Sequence, residues 1–208
     1  MEEQLSKKER KDLKRQERHE GQARECRMGK TKKYAIWVIL LGVIVVAGWF
    51  GIQAITPEPL QEDYSRVMPL EGSSHVNEGT RVTYESNPPT SGNHWSTPLR
   101  DGIYDTEKPD EGAIHGLEHG RIWITYKPTI GQKAITALKD ALKGQSGIVM
   151  NPRAANDTDI ALAAWMRLDT FNLNEDDTID AKRILDFIQR YRNKGPEYVP
   201  QSVGKTYE

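Results

Sequence analysis

Arg121–Lys143, RIWITYKPTIGQKAITALKDALK, sets two periodicities side by side. Arg121–Tyr126 alternates: Ile122, Ile124 and Tyr126 fall on one side, Arg121, Trp123 and Thr125 on the other. A period of two is a strand with two unlike faces. Gln132–Lys143 instead places Ala134, Ile135, Leu138, Ala141 and Leu142 on one helical face, the stripe of a helix that packs on a core. Working outward, Gly147–Met150 is a short apolar run ended by Pro152, and Ile160–Leu168 follows an Asn156-Asp157 turn and is short enough for a strand. Asp177–Arg192 carries Ile184, Leu185, Phe187, Ile188 and Tyr191, a second amphipathic helix that Gly195-Pro196 ends. Upstream, Thr80–Glu85 alternates Val82 and Tyr84 as a short strand would, and Asn87–Gly102, rich in Pro, Gly, Ser and Asn, reads as a long ordered loop. The expected fold class is α+β: a small mixed or antiparallel sheet with two packed helices and a long His-bearing loop region, preceded by a single transmembrane helix.

The transmembrane expectation comes from Ala35–Ile55, 21 residues with no charge and one strongly polar side chain, Gln53. At a rise of about 1.5 Å per residue the run spans roughly 31 Å, and a bilayer core is about 30 Å thick. Tyr34 and Trp37 flank one end, Trp49 and Phe50 the other, and aromatic side chains favour the headgroup level. A cleaved signal peptide would have a shorter apolar core ending in small residues. Charge supports the same layout. Residues 1–33 hold 12 Lys+Arg against 7 Asp+Glu, and residues 56–208 hold 17 against 23, so a formal net charge of -1 hides a basic arm and an acidic body. Lys30, Lys32 and Lys33 lie against the span and place the N-terminus in the cytoplasm of a single-pass plasma-membrane protein.

The domain plan is therefore a basic cytoplasmic arm at 1–33, a transmembrane anchor at 34–55, a linker at 56–74, an extracytoplasmic domain at 75–200 and a tail at 201–208. The linker reading rests on Pro57, Pro59, Pro69 and Gly72. With 37% hydrophobic and 28% charged residues and a mean hydropathy of -0.70, the chain is no multi-span transporter. With Cys26 as its one cysteine it is no disulfide scaffold. Acidic residues are interleaved through the basic arm, so no nucleic-acid partner is expected.

The chemistry concentrates in four histidines within 45 consecutive positions: His75, His94, His115 and His119. Each lies in an irregular context, and loops held by a scaffold are where sites gather. His115 and His119 are four apart, a spacing that puts both imidazoles on one face of a helical turn, although Gly116 weakens the helix between them. Asn87-Pro88-Pro89-Thr90-Ser91-Gly92-Asn93-His94 is stiffened by two prolines, and Gly92 permits a tight turn before His94. The four histidines are the candidate metal ligands, with Glu118 and Trp95 behind them. Histidine ligands suit copper first and zinc second; Met68, Met150 and Met166 bear on that choice, with packing the ordinary role of the last two. His115-Gly-Leu-Glu118-His119 also fits the pattern H-x-x-E-H, in which a Glu is general base on zinc-bound water.

Val82-Thr-Tyr84-Glu-Ser-Asn87-Pro88-Pro89-Thr90-Ser91-Gly92-Asn-His94, Gly102-Ile-Tyr104, His115-Gly-Leu-Glu118-His119-Gly120, Trp165 and the closing Tyr191-Arg-Asn-Lys-Gly195-Pro196-Glu197 together resemble the bacterial family catalogued as domain of unknown function 3105. The resemblance runs from about His75 to Pro200. It implies a single-pass anchored protein with an extracytoplasmic domain, and it places all four histidines on the family's histidine positions. It also implies a glycine after Trp165, where this chain has Met166. The family brings no activity with it. The expected function is a membrane-anchored extracytoplasmic protein that binds a transition metal through four histidines. The alternatives are a metal-dependent hydrolase with Glu118 as base, or a metal-free module that binds an envelope protein partner.

Overall fold

The structure is a computed structural model, and it describes residues 18, 37–51, 59–197 and 199. The chain divides after Pro59. Before the division, residues 37–51 form a helix, α1, whose apolar side chains are exposed, Trp37, Val38, Ile44 and Phe50 among them. Among the described residues no helix is long and apolar enough to cross a membrane. Residues 34–36 and 52–55, the ends of the expected span, lie outside the described residues, as do most of the basic arm and the 201–208 tail.

The second unit is built on the strand that the alternation of Arg121–Tyr126 announces. The strands are β1 (Arg66–Val67), β2 (His75–Val76), β3 (His94–Trp95), β4 (Gly102–Ile103), β5 (Ile122–Tyr126), β6 (Ile148–Pro152), β7 (Ile160–Ala164) and β8 (Arg167–Phe171). The helices are α2 (Asp110–Glu118), α3 (Gln132–Ala141) and α4 (Ala181–Tyr191). Six strands form one mixed sheet in the order β1-β8-β7-β5-β6-β4. β6 runs parallel to β5 and to β4, and the pairs β5/β7, β7/β8 and β1/β8 are antiparallel. The β5–α3–β6 passage explains the parallel pair, because parallel neighbours need a crossover and a helix supplies it. β2 and β3 form a separate parallel pair.

Both faces of the sheet are covered, and the alternation in β5 sorts its side chains between them. Ile122, Ile124 and Tyr126 pack with Met150, Leu162, Leu138 of α3 and Ile184, Phe187 and Ile188 of α4. Trp123, with Val149, Ala163 and Leu168, faces Ala113 and Leu117 of α2. The strand is therefore buried along its whole length. The expectation of two packed helices holds for one face, and α2 covers the other. Met150 is fully buried in the first core and Met68 packs against the second, so both act as packing groups.

Besides α2, a helix the periodicity does not show, the structure departs from the sequence reading at three places. Thr80–Glu85 is not a strand: the Val82 amide donates to a Glu111 carboxylate oxygen (3.0 Å) in place of a neighbouring strand. Ile160–Leu168 is not one strand but the start of a hairpin, β7 turning at Trp165-Met166 into β8. The segment expected to be a linker is drawn into the fold from residue 60 on: β1 pairs with the edge strand β8, and the Gln61 amide donates to Asp186 on α4 (2.7 Å). The core-bearing unit thus begins before His75.

Candidate metal centre

Two devices carry the histidines of the loop region to one place. The first is the β2/β3 pair, whose register sets His75 opposite His94. The Gly92 amide donates to Gly72 O (2.9 Å) and the His94 amide to Ser74 O (3.0 Å), which fixes that register. Gly92 has φ +128°, and a Cβ there would meet the Tyr84 ring at 2.6 Å, so the tight turn expected before His94 depends on glycine. The second device is α2. Glu111, His115 and Glu118 share one of its faces and all three are buried, as spacings of four and three require.

The result is a cluster of His75, His94, His115 and Glu118, one ligand atom from each lying within 4.8 Å of the others. The imidazole centroids of His75, His94 and His115 are 4.8–5.0 Å apart. His94 Nδ1 lies 2.7 Å from Gly92 O, and His115 Nδ1 lies 2.7 Å from Trp95 O. A carbonyl has no hydrogen to give, so in both rings Nδ1–H donates and Nε2 is left as the ligand atom. This is how proteins fix the tautomer of metal-binding histidines. Trp95 thus serves the cluster through its backbone carbonyl, while its indole Nε1–H donates to Thr80 O (2.8 Å).

His94 Nε2 is the telling atom. His94 is fully buried, and Nε2 has no hydrogen-bond partner among the described residues. Glu118 Oε2 nevertheless lies 3.1 Å from it, and 3.9 Å from His75 Nε2. A neutral imidazole with Nδ1–H committed presents a lone pair to that carboxylate, and two lone pairs repel unless a proton or a metal cation stands between them. A cation between them satisfies both. Ligands of a tetrahedral ion with bonds near 2.0–2.1 Å lie roughly 3.3 Å apart, close to the observed separation.

His119 falls elsewhere. It caps the end of α2, and its ring centroid is 4.5 Å from that of His115. Its Nε2 lies 3.2 Å from Glu197 Oε2, and Glu118, His119 and Glu197 form a second potential donor group. Glu197 arrives from the segment after α4. Its amide donates to Glu118 O (3.0 Å), and the Asn193 amide donates to Gly120 O (2.8 Å). A Cβ on Gly195 would stand 2.1 Å from Glu118 O, so only glycine permits this closing contact. Of the four histidines singled out by sequence, three converge with Glu118 and the fourth sits beside them with Glu197. Sequence spacing does not reveal Glu197, because four strands and two helices, β5 to α4, separate it from His119 along the chain. The two histidines of the H-x-x-E-H pattern belong to different groups, and its Glu stands among the donors of both.

Burial pushes the His115 pKa down to about 4; the neighbouring His119, His94 and His75 add to the effect, and the hydrogen bond to Trp95 opposes it. The ring is therefore neutral, and ready to ligate, well below neutral pH. In the metal-free protein the unfolded chain takes up this proton near pH 6.5 and the folded one only near 4. Stability from this group is accordingly complete above pH 6.5 and falls by on the order of 2–3 kcal/mol as the pH drops to 4. Urea unfolding of chelator-treated protein at pH 7 and pH 4.5 should show that loss. His115→Asn keeps a donor for Trp95 O and cannot titrate, so it should lose less between the two pH values. Equal losses in wild type and variant would exclude the burial of His115 as the cause.

Residues 75–204 match the family described as "Protein of unknown function (DUF3105)". The match spans more than half of the 208 residues, and the chain belongs to this family. Comparison with the curated proteins and with the solved structures finds no match.

Proposed function

We propose that this protein binds a transition-metal ion through His75, His94, His115 and Glu118. One observation carries the reading: a buried His94 whose Nδ1 is committed to Gly92 O turns a bare Nε2 toward a carboxylate 3.1 Å away. Such a pair is poorly arranged for an empty core and well arranged around a cation. Three imidazoles and one carboxylate suit a borderline divalent ion, zinc or copper(II). Copper(I) prefers softer sulfur ligands. A domain that holds such an ion serves to buffer, sense or hand on the metal.

The same reading places the domain outside the cell membrane, anchored by the span at 34–55 with the basic arm in the cytoplasm. It is supported by the uncharged run at 35–55, by the Lys/Arg excess before it, and by the exposed apolar surface of α1. A fused reporter active only outside the cytoplasm, placed after residue 208, tests the orientation.

Metal content tests the binding. The full-length protein, incubated with zinc or copper(II) and passed through gel filtration, should keep at least one equivalent. His94→Asn/His115→Asn, which retains both donors to Gly92 O and Trp95 O, should keep at least one equivalent less than the wild type. A wild-type protein that emerges metal-free after exposure to both ions would sink the proposal.

A further inference from the structure

Glu118 stands in both donor groups, with His75, His94 and His115 on one side and with His119 and Glu197 on the other. We infer that this is a two-metal centre in which the Glu118 carboxylate bridges a first ion held by His75, His94 and His115 and a second held by His119 and Glu197. The inference rests on the metal-binding reading above and extends it. A carboxylate has two oxygens and about four lone-pair sites, so one Glu can serve two ions, and paired ions in proteins stand about 3.5–4 Å apart. The rings of His115 and His119 are 4.5 Å apart, so the two groups are contiguous and not merely neighbouring. Glu197 is also held in place by backbone: its amide is bonded to the carbonyl of Glu118 itself, and Gly120 and Gly195 make room for that contact. The fold thus builds a second carboxylate onto the end of the helix that carries the first.

The two positions differ. The first is the deeper, with His94 at 0% and Glu118 at 6% side-chain exposure and His75 open at 49%; the second has His119 at 17% and Glu197 at 57%. Three protein donors, the exposed Glu197 among them, leave room for water or an exogenous oxygen ligand on the second ion, so it should be the weaker and more exchangeable of the two.

The test is metal stoichiometry in full-length protein loaded with zinc alone or copper(II) alone. Two equivalents in the wild type are expected, falling to one in Glu197→Ala and in His119→Gln. Glu197 is exposed enough for its truncation to leave the fold intact, and circular dichroism checks that for both variants. In copper-loaded wild type the two bridged ions should couple magnetically, and either variant should restore the paramagnetic resonance signal of an isolated copper(II). One equivalent in the wild type, unchanged in Glu197→Ala, would overturn the second site and leave the first standing. Two equivalents retained in both variants would also overturn it. No metal in the wild type would overturn the reading on which it rests.

Discussion

Saturating the protein with zinc or copper(II) should raise its unfolding temperature by about 10 °C, and His94→Asn should remove most of the rise. An ion bound only by the folded state stabilises it by about 2.7 kcal/mol at a hundredfold excess over Kd. At this domain size roughly 4 °C of melting temperature corresponds to each kcal/mol. The unfolded chain cannot compete, because the donors come from separate elements: His75 from β2, His94 from β3, His115 and Glu118 from α2. His94→Asn preserves the donor to Gly92 O, so the β2/β3 pairing persists and only the ligand atom is lost. With that donor kept, the metal-free variant should melt close to the metal-free wild type. Scanning calorimetry of both proteins, with metal and with chelator, gives the four temperatures. Equal rises in both proteins would mean that the ion binds elsewhere.

How much of this was legible in the sequence depends on which residues announce themselves locally. The alternation of Arg121–Tyr126 and the stripe of Gln132–Lys143 are local signals, and both elements stand where those signals put them. The missed helix, α2, has two glycines in nine residues, which hides its periodicity. Its start is nonetheless marked by Pro109 and by Asp110 and Glu111 in its first turn, a helix-opening signal that was there to be used. The alternation of Val82 and Tyr84 is real but answers to Glu111 and Gly92, not to a partner strand. The β7–β8 turn passes through Met166 at φ +56°, a left-handed position that glycine adopts without cost. The family resemblance implies a glycine there, and the backbone shows why.

The site was half legible for a different reason. A histidine declares itself by its rarity, and four in 45 positions point to one another. Glutamate does not, since the chain has many acidic residues, so the sequence sets Glu118 behind the histidines, whereas the structure sets it among the candidate donors. Helix geometry favours that place: His115 and Glu118, three apart, are both buried on α2, whereas His119 is already at the cap. Nothing local distinguishes Glu197, which reaches His119 only because α4 and the glycines at 120 and 195 bring the closing segment onto α2.

Arg153→Ala should destabilise the metal-free protein by about 2–3 kcal/mol, a large share of the roughly 5–15 kcal/mol that holds a domain together. Arg153 follows β6 and is only 6% exposed. Its Nε and Nη2 donate to the two carboxylate oxygens of Asp110 at 3.0 and 2.8 Å, and its Nη1 donates to Asn87 and Asn156. The planar guanidinium matches that fork of acceptors, which an ammonium cannot do. Asp110 is the first residue of α2, Asn87 opens the loop that leads to His94, and Asn156 is tied to Thr125 of β5. One side chain therefore pins the helix and the loop that carry the candidate ligands to the central strand. Truncating it leaves the half-buried Asp110 charge and the Asn87 amide oxygen without these donors, whereas Asn156 Oδ1 keeps the Thr125 hydroxyl, and that penalty, more than the lost attraction, is what the experiment should read. Arg153→Lys keeps the charge but not the fork, so it should recover only part of the loss. Asp110→Asn/Arg153→Ala should cost less than the sum of its two single changes, because the stranded charge is then gone. Urea unfolding of the wild type and the four variants, Asp110→Asn alone among them, decides the matter at pH 7: a loss below about 1 kcal/mol for Arg153→Ala, or strict additivity in the double variant, would show that this fork does not organise the site.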